Sequence, residues 1–329
     1  MVLKQKFWRI ERSSSIYKKT KMENIIRLES ISQLNELFQQ DALKHPLISV
    51  VDFSKLEKHE MVEEVKLTCG FYSLMFKNHC ANRLRYGKEY YDFQEGTLIC
   101  IAPNQIITIE NDDRSNEDIV GWGLFFHPDL IRGTSLGNKM NQYTFFSYEV
   151  NEALHLSDKE KQTLLDCVNK LENELTENID KHSQTLITSN IELLLNYCAR
   201  YYDRQFITRK KANTDLLVRF ENSLSSYFNS HDLQKKGLPS VKYFAELLFL
   251  SPNYLSDLLK KETGKNAQDH IHYYLIEEAK NNLVNTNDSV NEIAYKLGFE
   301  YPQYFSKLFK SKTGMTAVEY RNLNLKAFS

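Results

Sequence analysis

The sequence predicts an α+β protein of two domains, in which a β-rich N-terminal domain with trailing helices precedes an all-α C-terminal domain. From residue 46 to residue 126, short β-branched and aromatic runs alternate with Gly, Asn, Asp and Pro clusters, which is typical of a β-sandwich or β-barrel. After Ser157 the apolar residues recur at helical spacing. The last hundred or so residues are helical in pattern and contain an internal repeat.

Length and composition agree with two globular domains. The chain has 329 residues, and single hydrophobic cores usually stop growing beyond about 250–300 residues. Hydrophobic residues make up 42% and charged residues 26%, which excludes disordered and collagen-like classes. The sequence contains no apolar run of about 18 residues, so we expect no membrane span. Residues 1–21 lack the apolar stretch of a signal peptide and are interpreted as a disordered lead-in or a misassigned start.

The pattern divides the chain further. Segment 23–40 has helical spacing, and six strands are expected at 47–53, 62–67, 70–76, 96–101, 106–109 and 119–126. A Ser157–Glu160 capping box begins a helix, and a second helix is expected over 183–202. The predicted divisions are therefore a β-rich domain at 22–156, helices at 157–202, a polar linker at 203–214 and a helical domain at 215–329.

The cysteines argue against two kinds of site. They are odd in number and contain no C-x-x-C pair, unlike a disulfide framework or a zinc site. We therefore expect a cytoplasmic protein with free thiols. The five are Cys69, Cys80, Cys100, Cys167 and Cys198.

Charge is distributed unevenly along the chain. The net charge is −1 overall, but residues 204–329 contain 18 Lys and Arg against 13 Asp and Glu, or +5, which leaves −6 for residues 1–203. This asymmetry indicates an anion-binding C-terminal half.

The C-terminal repeat carries the strongest signal. Residues 252–264 (PNYLSDLLKKETG) align with residues 302–314 (PQYFSKLFKSKTG) with seven of thirteen positions identical. Upstream, residues 240–245 (SVKYFA) parallel 289–294 (SVNEIA). A repeat of this kind indicates one supersecondary unit used twice.

Each copy has the features of a helix-turn-helix. Ser240 and Ser289 are suited to cap a short helix, and Gly298 gives the second copy a flexible corner. Proline then starts the second helix of each copy and glycine ends it. Small alanines stand where two helices must cross closely, and residues 267–284 form a connecting helix. These residues are Pro252, Pro302, Gly264, Gly314, Ala245 and Ala294.

Residues 292–299 (EIAYKLGF), 304–310 (YFSKLFK) and 319–321 (EYR) resemble the signature of the AraC/XylS family of transcription regulators. The resemblance covers residues 216–322 and implies two helix-turn-helix units that place their recognition helices in successive major grooves, about 34 Å apart. It implies double-stranded promoter DNA as the partner, with RNA polymerase as a further contact.

Carried over position by position, the resemblance implies the residues that face base edges. Amide side chains read adenine, Lys reads guanine, and Asp accepts from cytosine. Lysines further along each helix are expected to contact phosphate; a solvated helix face is the alternative for each of them. The base-facing residues are Asn253, Ser256, Asp257, Gln303, Ser306 and Lys307, and the phosphate-facing residues are Lys260, Lys261, Lys310 and Lys312.

Three positions depart from the family pattern. Ala317 stands where Pro is common, and Leu275 stands where Arg is common. Asp257 replaces a basic or amide residue and would repel phosphate, so we expect the first recognition helix to contribute less affinity than the second.

The family also implies a cupin-like β-barrel before the DNA-binding domain, with helices 157–202 forming a homodimer interface. Aromatic residues of this barrel are candidates for a pocket for a small-molecule effector, although packing in the core is the alternative. They are Tyr72, Phe76, Tyr86, Tyr90 and Trp122. No cofactor and no catalytic or metal-binding residue is predicted, because the histidines lack the spacing that a cupin metal site needs.

Two other classes of function remain open. One is a cupin-type enzyme with an attached binding module, which the absence of metal-ligand spacing argues against. The other is a signalling adaptor that has lost DNA binding, which Asp257 favours and which Gln303 and Lys307 oppose.

Overall fold

The computed structural model describes residues 25–39, 44–56, 65–77, 82–86, 89–91, 96–111, 120–149, 152–208, 210–229, 233 and 237–327. The chain divides into two compact units, Met1–Ile207 and Thr208–Ser329. The predicted lead-in, residues 1–21, lies outside the described residues.

The described part of the N-terminal unit contains ten strands in two sheets. The strand order is β1-β3-β8-β5-β6 in one sheet and β10-β7-β4-β9-β2 in the other. All six predicted strands are present. The strands are β1 (Ile25–Leu28), β2 (Ile48–Asp52), β3 (Val65–Cys69), β4 (Tyr72–Lys77), β5 (Asn82–Tyr86), β6 (Glu89–Tyr91), β7 (Thr97–Ile101), β8 (Ile106–Asn111), β9 (Gly121–Phe126) and β10 (Leu154–His155).

The predicted barrel is not closed among the described strands. Strand β3 pairs with β1 and β8, whereas β4, which follows at once, pairs with β7 and β9. The two intervening residues, Gly70 and the fully buried Phe71, carry the chain from one sheet to the other. The sequence pattern allowed either a sandwich or a barrel, and the described strands form two separate sheets.

The helix predicted over residues 23–40 is wrong in its first half. Residues 25–28 form β1, which pairs in parallel with β3, and helix α1 spans only Ile31–Leu37. Ser30 and Gln33 form a capping box that starts the helix at this point. Ile31 and Leu34 are then buried with Leu28 and Phe71 in a core cluster that includes residues of both sheets.

Among the described residues of the N-terminal unit, four α-helices follow β9: α2 (Pro128–Ile131), α3 (Ser135–Lys139), α4 (Asp158–Thr176) and α5 (Ser183–Thr208). The Ser157–Glu160 capping box at the start of α4 is present. Helix α5 continues six residues beyond its predicted end, into the segment interpreted as a linker.

Polar residues at the end of α5 are bound to other residues of the N-terminal unit. The Arg204 guanidinium donates to Glu160 Oε2 at 2.8 Å and to the His155 carbonyl at 2.7 Å. The side chain of Gln205 is buried, accepts from the His155 amide at 2.8 Å and donates to the Ala153 carbonyl at 3.2 Å.

All regular elements among the described residues of the C-terminal unit are helices. Phe220, Phe244, Phe305 and Phe309 are fully buried, and Phe220 packs against Phe244 while Phe305 packs against Phe309. No helix in the described residues of either unit is both long and apolar enough to span a bilayer. The helices are α6 (Lys210–Asn229), α7 (Val241–Leu248), α8 (Pro252–Thr263), α9 (Ala267–Asn285), α10 (Val290–Lys296), α11 (Pro302–Thr313) and α12 (Ala317–Ala327).

Candidate nucleic-acid interface

The first helix-turn-helix consists of α7 and α8. Ser240 caps α7 by accepting a hydrogen bond from the Tyr243 amide at 3.1 Å. The corner is formed by Phe249, which adopts a left-handed conformation with φ of 59°. Ser251 then caps α8 by accepting from the Tyr254 amide at 3.1 Å.

The second helix-turn-helix consists of α10 and α11. Ser289 and Glu292 form a capping box at the start of α10. Gly298 forms the corner with φ of 82°, as its lack of a β-carbon allows. Helix α11 follows with Pro302 in its first turn, but its N-cap residue, Tyr301, makes no side-chain capping bond.

Both recognition helices end in the same way. Thr263 Oγ1 donates to the Leu259 carbonyl at 2.7 Å, and Thr313 Oγ1 donates to the Phe309 carbonyl at 2.7 Å. The next residue of each copy is a glycine in the left-handed conformation, as predicted. The threonine hydroxyl therefore closes the last turn of the helix in both units. The Thr-Gly pair that is repeated in the sequence indicates this shared helix end.

The structural repeat extends into a third helix of each copy. Asn266 caps α9 two residues after the glycine of the first copy, and Thr316, two residues after the glycine of the second copy, pairs with Glu319 at the start of α12. Ala267 and Ala317, the first residues of the two helices, are both buried.

Arg321 joins the third helix of the second copy to the connecting helix. Its guanidinium donates to the Leu283 carbonyl at 2.8 Å, in the last turn of α9, and to the Asp288 carbonyl at 2.7 Å. The last carbonyls of a helix have no partner within it, so a charged donor at this place stabilises the end of α9. The Glu-Tyr-Arg motif therefore has a scaffolding role that sequence reasoning did not assign.

The predicted base-facing residues lie on one face of each recognition helix because they are spaced three and four residues apart. On α8, Asn253 is exposed, while Ser256 and Asp257 are partly buried. On α11, the corresponding residues are all exposed. These are Gln303, Ser306 and Lys307.

The predicted phosphate-facing lysines, Lys260, Lys261, Lys310 and Lys312, are all exposed at the C-terminal ends of the two recognition helices. Lys312 Nζ also lies 2.9 Å from Asp269 Oδ1 on α9. The hydrogen bond from Lys312 holds the pKa of Asp269 below its ordinary value, against the opposite effect of burial.

A family profile described as a helix-turn-helix domain matches residues 244–323, from α7 into α12. The C-terminal domain is an AraC-type helix-turn-helix domain.

Relatives of this AraC-type domain occur in two Bacillus subtilis proteins named as uncharacterized transcriptional regulators. YesN is 40% identical over 85 residues, covering 25% of this chain and 23% of the relative. YobQ is 34% identical over 97 residues, covering 30% of this chain and 39% of the relative. The match therefore spans less than two-fifths of either relative.

A solved structure is also similar to the AraC-type domain. The C-terminal domain of the response regulator YesN from Fusobacterium nucleatum is 29% identical, with a TM-score of 0.29. The similarity covers 32% of this chain and 98% of that domain.

In the N-terminal unit, the described side chains of the predicted effector pocket pack against other rings. Tyr72 stacks on Phe126 with ring centroids 5.0 Å apart, and Phe76 stacks on Trp122 at 5.9 Å. The pocket itself stays a prediction. Among the described residues, no group of three His, Cys, Asp or Glu side chains is placed to hold a metal. The side chains of Tyr86 and Tyr90, on β5 and β6, lie outside the described part of the chain.

Proposed function

We propose that the chain is a sequence-specific transcription regulator that reads promoter DNA through α8 and α11 in successive major grooves. The observation that carries this proposal is the polar face that the two recognition helices repeat at aligned positions. This face is exposed at all three positions of α11 and at Asn253 of α8, and exposed lysines follow it on each helix. A helix of this kind reads base edges with residues near its N-terminus. The lysines beyond them supply the phosphate contacts that hold the register. A chain with this role acts in the cytoplasm, on double-stranded DNA.

The proposed role is that of a regulator without catalytic activity. The relatives of the C-terminal domain are named as transcriptional regulators. The proposal includes contact with RNA polymerase and activation of transcription as the outcome of promoter binding. A promoter–reporter assay with and without the chain tests the direction of regulation, since a repressor would lower the signal.

The decisive test uses the full chain and DNA that the chain itself selects from random duplexes. Fluorescence anisotropy at several salt concentrations then compares the selected duplex with a scrambled one. Specific binders prefer their site by about a thousandfold or more. Equal and steeply salt-dependent binding to both duplexes would contradict sequence reading and favour the adaptor alternative.

The readout depends on α11 in particular if the proposal holds. The double substitution of Gln303→Ala and Lys307→Ala should abolish most of the preference for the selected duplex, because both side chains are exposed on the base-facing side. Lys159→Ala, at an exposed position on α4 in the other unit, is the matched control and should leave the preference unchanged.

We further propose that α4 and α5 form a homodimer interface. Leu186 and Leu193 lie seven residues apart, and hence on one face of α5, and both are exposed. Sedimentation of the full chain should give a dimer, and Leu186→Glu with Leu193→Glu should give a monomer. A wild-type monomer at high micromolar concentration would contradict the proposal.

The N-terminal domain is proposed to be a cupin-like sensor of a small-molecule effector, on the basis of its aromatic residues. Trp122 is buried and stacked on Phe76, so its fluorescence reports on this part of the core. Trp8 is the other of the two tryptophans, and Trp8→Phe would leave Trp122 alone. Titration of that variant with candidate metabolites should shift its emission. A metabolite that alters promoter binding but leaves the emission of Trp122 unchanged would contradict the proposed pocket.

A further inference from the structure

Three exposed tyrosines lie in the second unit, one on α10 and two at the start of the recognition helix α11. Their aligned counterparts in the first unit are not exposed aromatic residues, and the closest match, Tyr254, is only 4% exposed. Single exposed apolar residues are ordinary, but a cluster of large exposed rings marks a binding surface. The three are Tyr295, Tyr301 and Tyr304, which are 58%, 48% and 62% exposed.

Tyr301 stands at a position where a small polar residue would stabilise the helix better. In the first unit the same position is Ser251, which caps α8. Serine is among the most favourable N-cap residues, whereas Tyr301 forms no side-chain capping bond to α11. Local rules of this kind are broken mainly at functional sites. The stability of α11 therefore does not explain why Tyr301 occupies this position, and a functional contact of its exposed ring is the alternative.

Tyr301 and Tyr304 form a pair beside the base-facing residues. Their ring centroids are 5.9 Å apart and their planes nearly perpendicular, which is a favoured aromatic arrangement. Tyr304 lies one position after Gln303 and one turn before Lys307, so the pair borders the face that α11 presents to DNA. The lysines on this helix give that face a positive charge that attracts phosphate.

We propose that Tyr301 and Tyr304 bind the sugar–phosphate backbone along the groove that α11 enters, with each phenol hydroxyl donating to a phosphate oxygen. Tyrosine is among the side chains that contact DNA phosphate, and the N-terminal end of a recognition helix lies deepest in the groove, between the two backbones. The inference rests on the proposed function. It adds two contacts to the second unit that the first unit, with Ser251 and a buried Tyr254, does not make.

The test measures the affinity of full-length variants for the selected and scrambled duplexes. Tyr301→Phe and Tyr304→Phe remove only the hydroxyl, and each should weaken binding to both duplexes by about three- to tenfold. Because the phenol is neutral, the slope of log affinity against log salt should not change, whereas Lys310→Ala should reduce it by about one. Tyr273→Phe, at an exposed tyrosine on α9 whose ring lies 5.1 Å from the Lys265 ammonium, is the matched control and should bind as the wild type does.

Two results would overturn the inference. If both phenylalanine variants bind as tightly as the wild type, the hydroxyls contact no phosphate. If only Tyr301→Ala and Tyr304→Ala weaken binding, the rings pack on sugars or bases and the phosphate assignment is wrong. A wild-type chain without preference for its selected duplex would instead contradict the proposed function, and the two failures are therefore distinguishable.

Discussion

The recognition helix of the first helix-turn-helix unit carries Asp257 and Glu262 against two lysines, whereas that of the second carries three lysines and no acidic residue. The buried positions of the two units are nevertheless alike, since Leu255 and Leu259 align with Phe305 and Phe309 and all four are fully buried. The two units therefore share a buried core and differ in the charges at their surfaces. Binding to phosphate releases counterions in proportion to the lysines engaged, so the second unit should provide most of the salt-dependent affinity.

The largest expected effect concerns the shared core. Phe309 contacts Phe305 and Tyr320 with ring centroids 5.7 Å and 5.6 Å away, so Phe309→Ala should lower the free energy of unfolding by about 3–5 kcal/mol. Leu259→Ala, at the aligned position, should cost about 2–5 kcal/mol. Chemical denaturation measures both, with the exposed Lys310→Ala as the control. A loss below about 1 kcal/mol for either variant would mean that its unit is not closely packed.

The second prediction contrasts the charges of the two DNA-facing surfaces. Lys307→Ala should weaken binding to the selected duplex by about 1–3 kcal/mol if Lys307 reads a base, and an equal loss on scrambled DNA would reassign it to phosphate. Asp257→Asn should strengthen binding to both duplexes by about 1 kcal/mol or less, because it removes a negative charge near phosphate. A loss of sequence preference in Asp257→Asn would instead show that Asp257 accepts from cytosine.

The third prediction concerns the corners of the two units. Phe249 occupies the left-handed region that Gly298 occupies in the second unit, and its side chain is 63% exposed. Phe249→Gly should therefore stabilise the chain by up to about 1 kcal/mol. Gly298→Ala should destabilise it by about 2 kcal/mol or more, because an added β-carbon would also lie 2.9 Å from the Gly237 carbonyl carbon. Thermal unfolding that shifts in the same direction for both variants would contradict this explanation.

The smallest expected effect concerns the pair between Asp269 and Lys312. The pKa of Asp269 is lowered from its ordinary value of 3.8, so the pair stabilises the folded state above that pH and loses its effect as the pH falls through the lowered pKa. Asp269→Asn should cost less than about 1 kcal/mol at pH 7, since both side chains are 38% exposed. Urea midpoints of the variant and the wild type should converge as the pH falls below 3.8 and through the lowered pKa, and a difference that does not change with pH would contradict the assignment.

The helix-turn-helix elements were predictable because their determinants are local. The caps at Ser240 and Ser289 and the helix ends at Gly264 and Gly314 lie within a few residues of what they stabilise. Solvent exposure of the residues spaced along α8 and α11 also follows from helical periodicity.

What the sequence did not reveal depends on distant partners. Arg204 and Gln205 are polar and therefore indicate a linker when the sequence is considered alone. In the structure they bind residues about fifty positions earlier in the chain. Strand β1 was not predicted because it is defined by its pairing with β3, about forty residues later in the chain. The helical spacing of residues 31–38 also led to a predicted helix that began too early. The same holds for Arg321, whose carbonyl partners lie 33 and 38 residues earlier in the chain.

The divergence of the two recognition helices has a consequence for the DNA itself. The two units follow one another in a single chain in the same order of helices, and they present different side chains at aligned positions. Under the proposed function, the two half-sites are then unlike in sequence, and the site has a direction rather than a centre of symmetry. Reversing the site within a promoter would turn the bound protein around, so the orientation of the site would decide which side of the regulator faces the start of transcription.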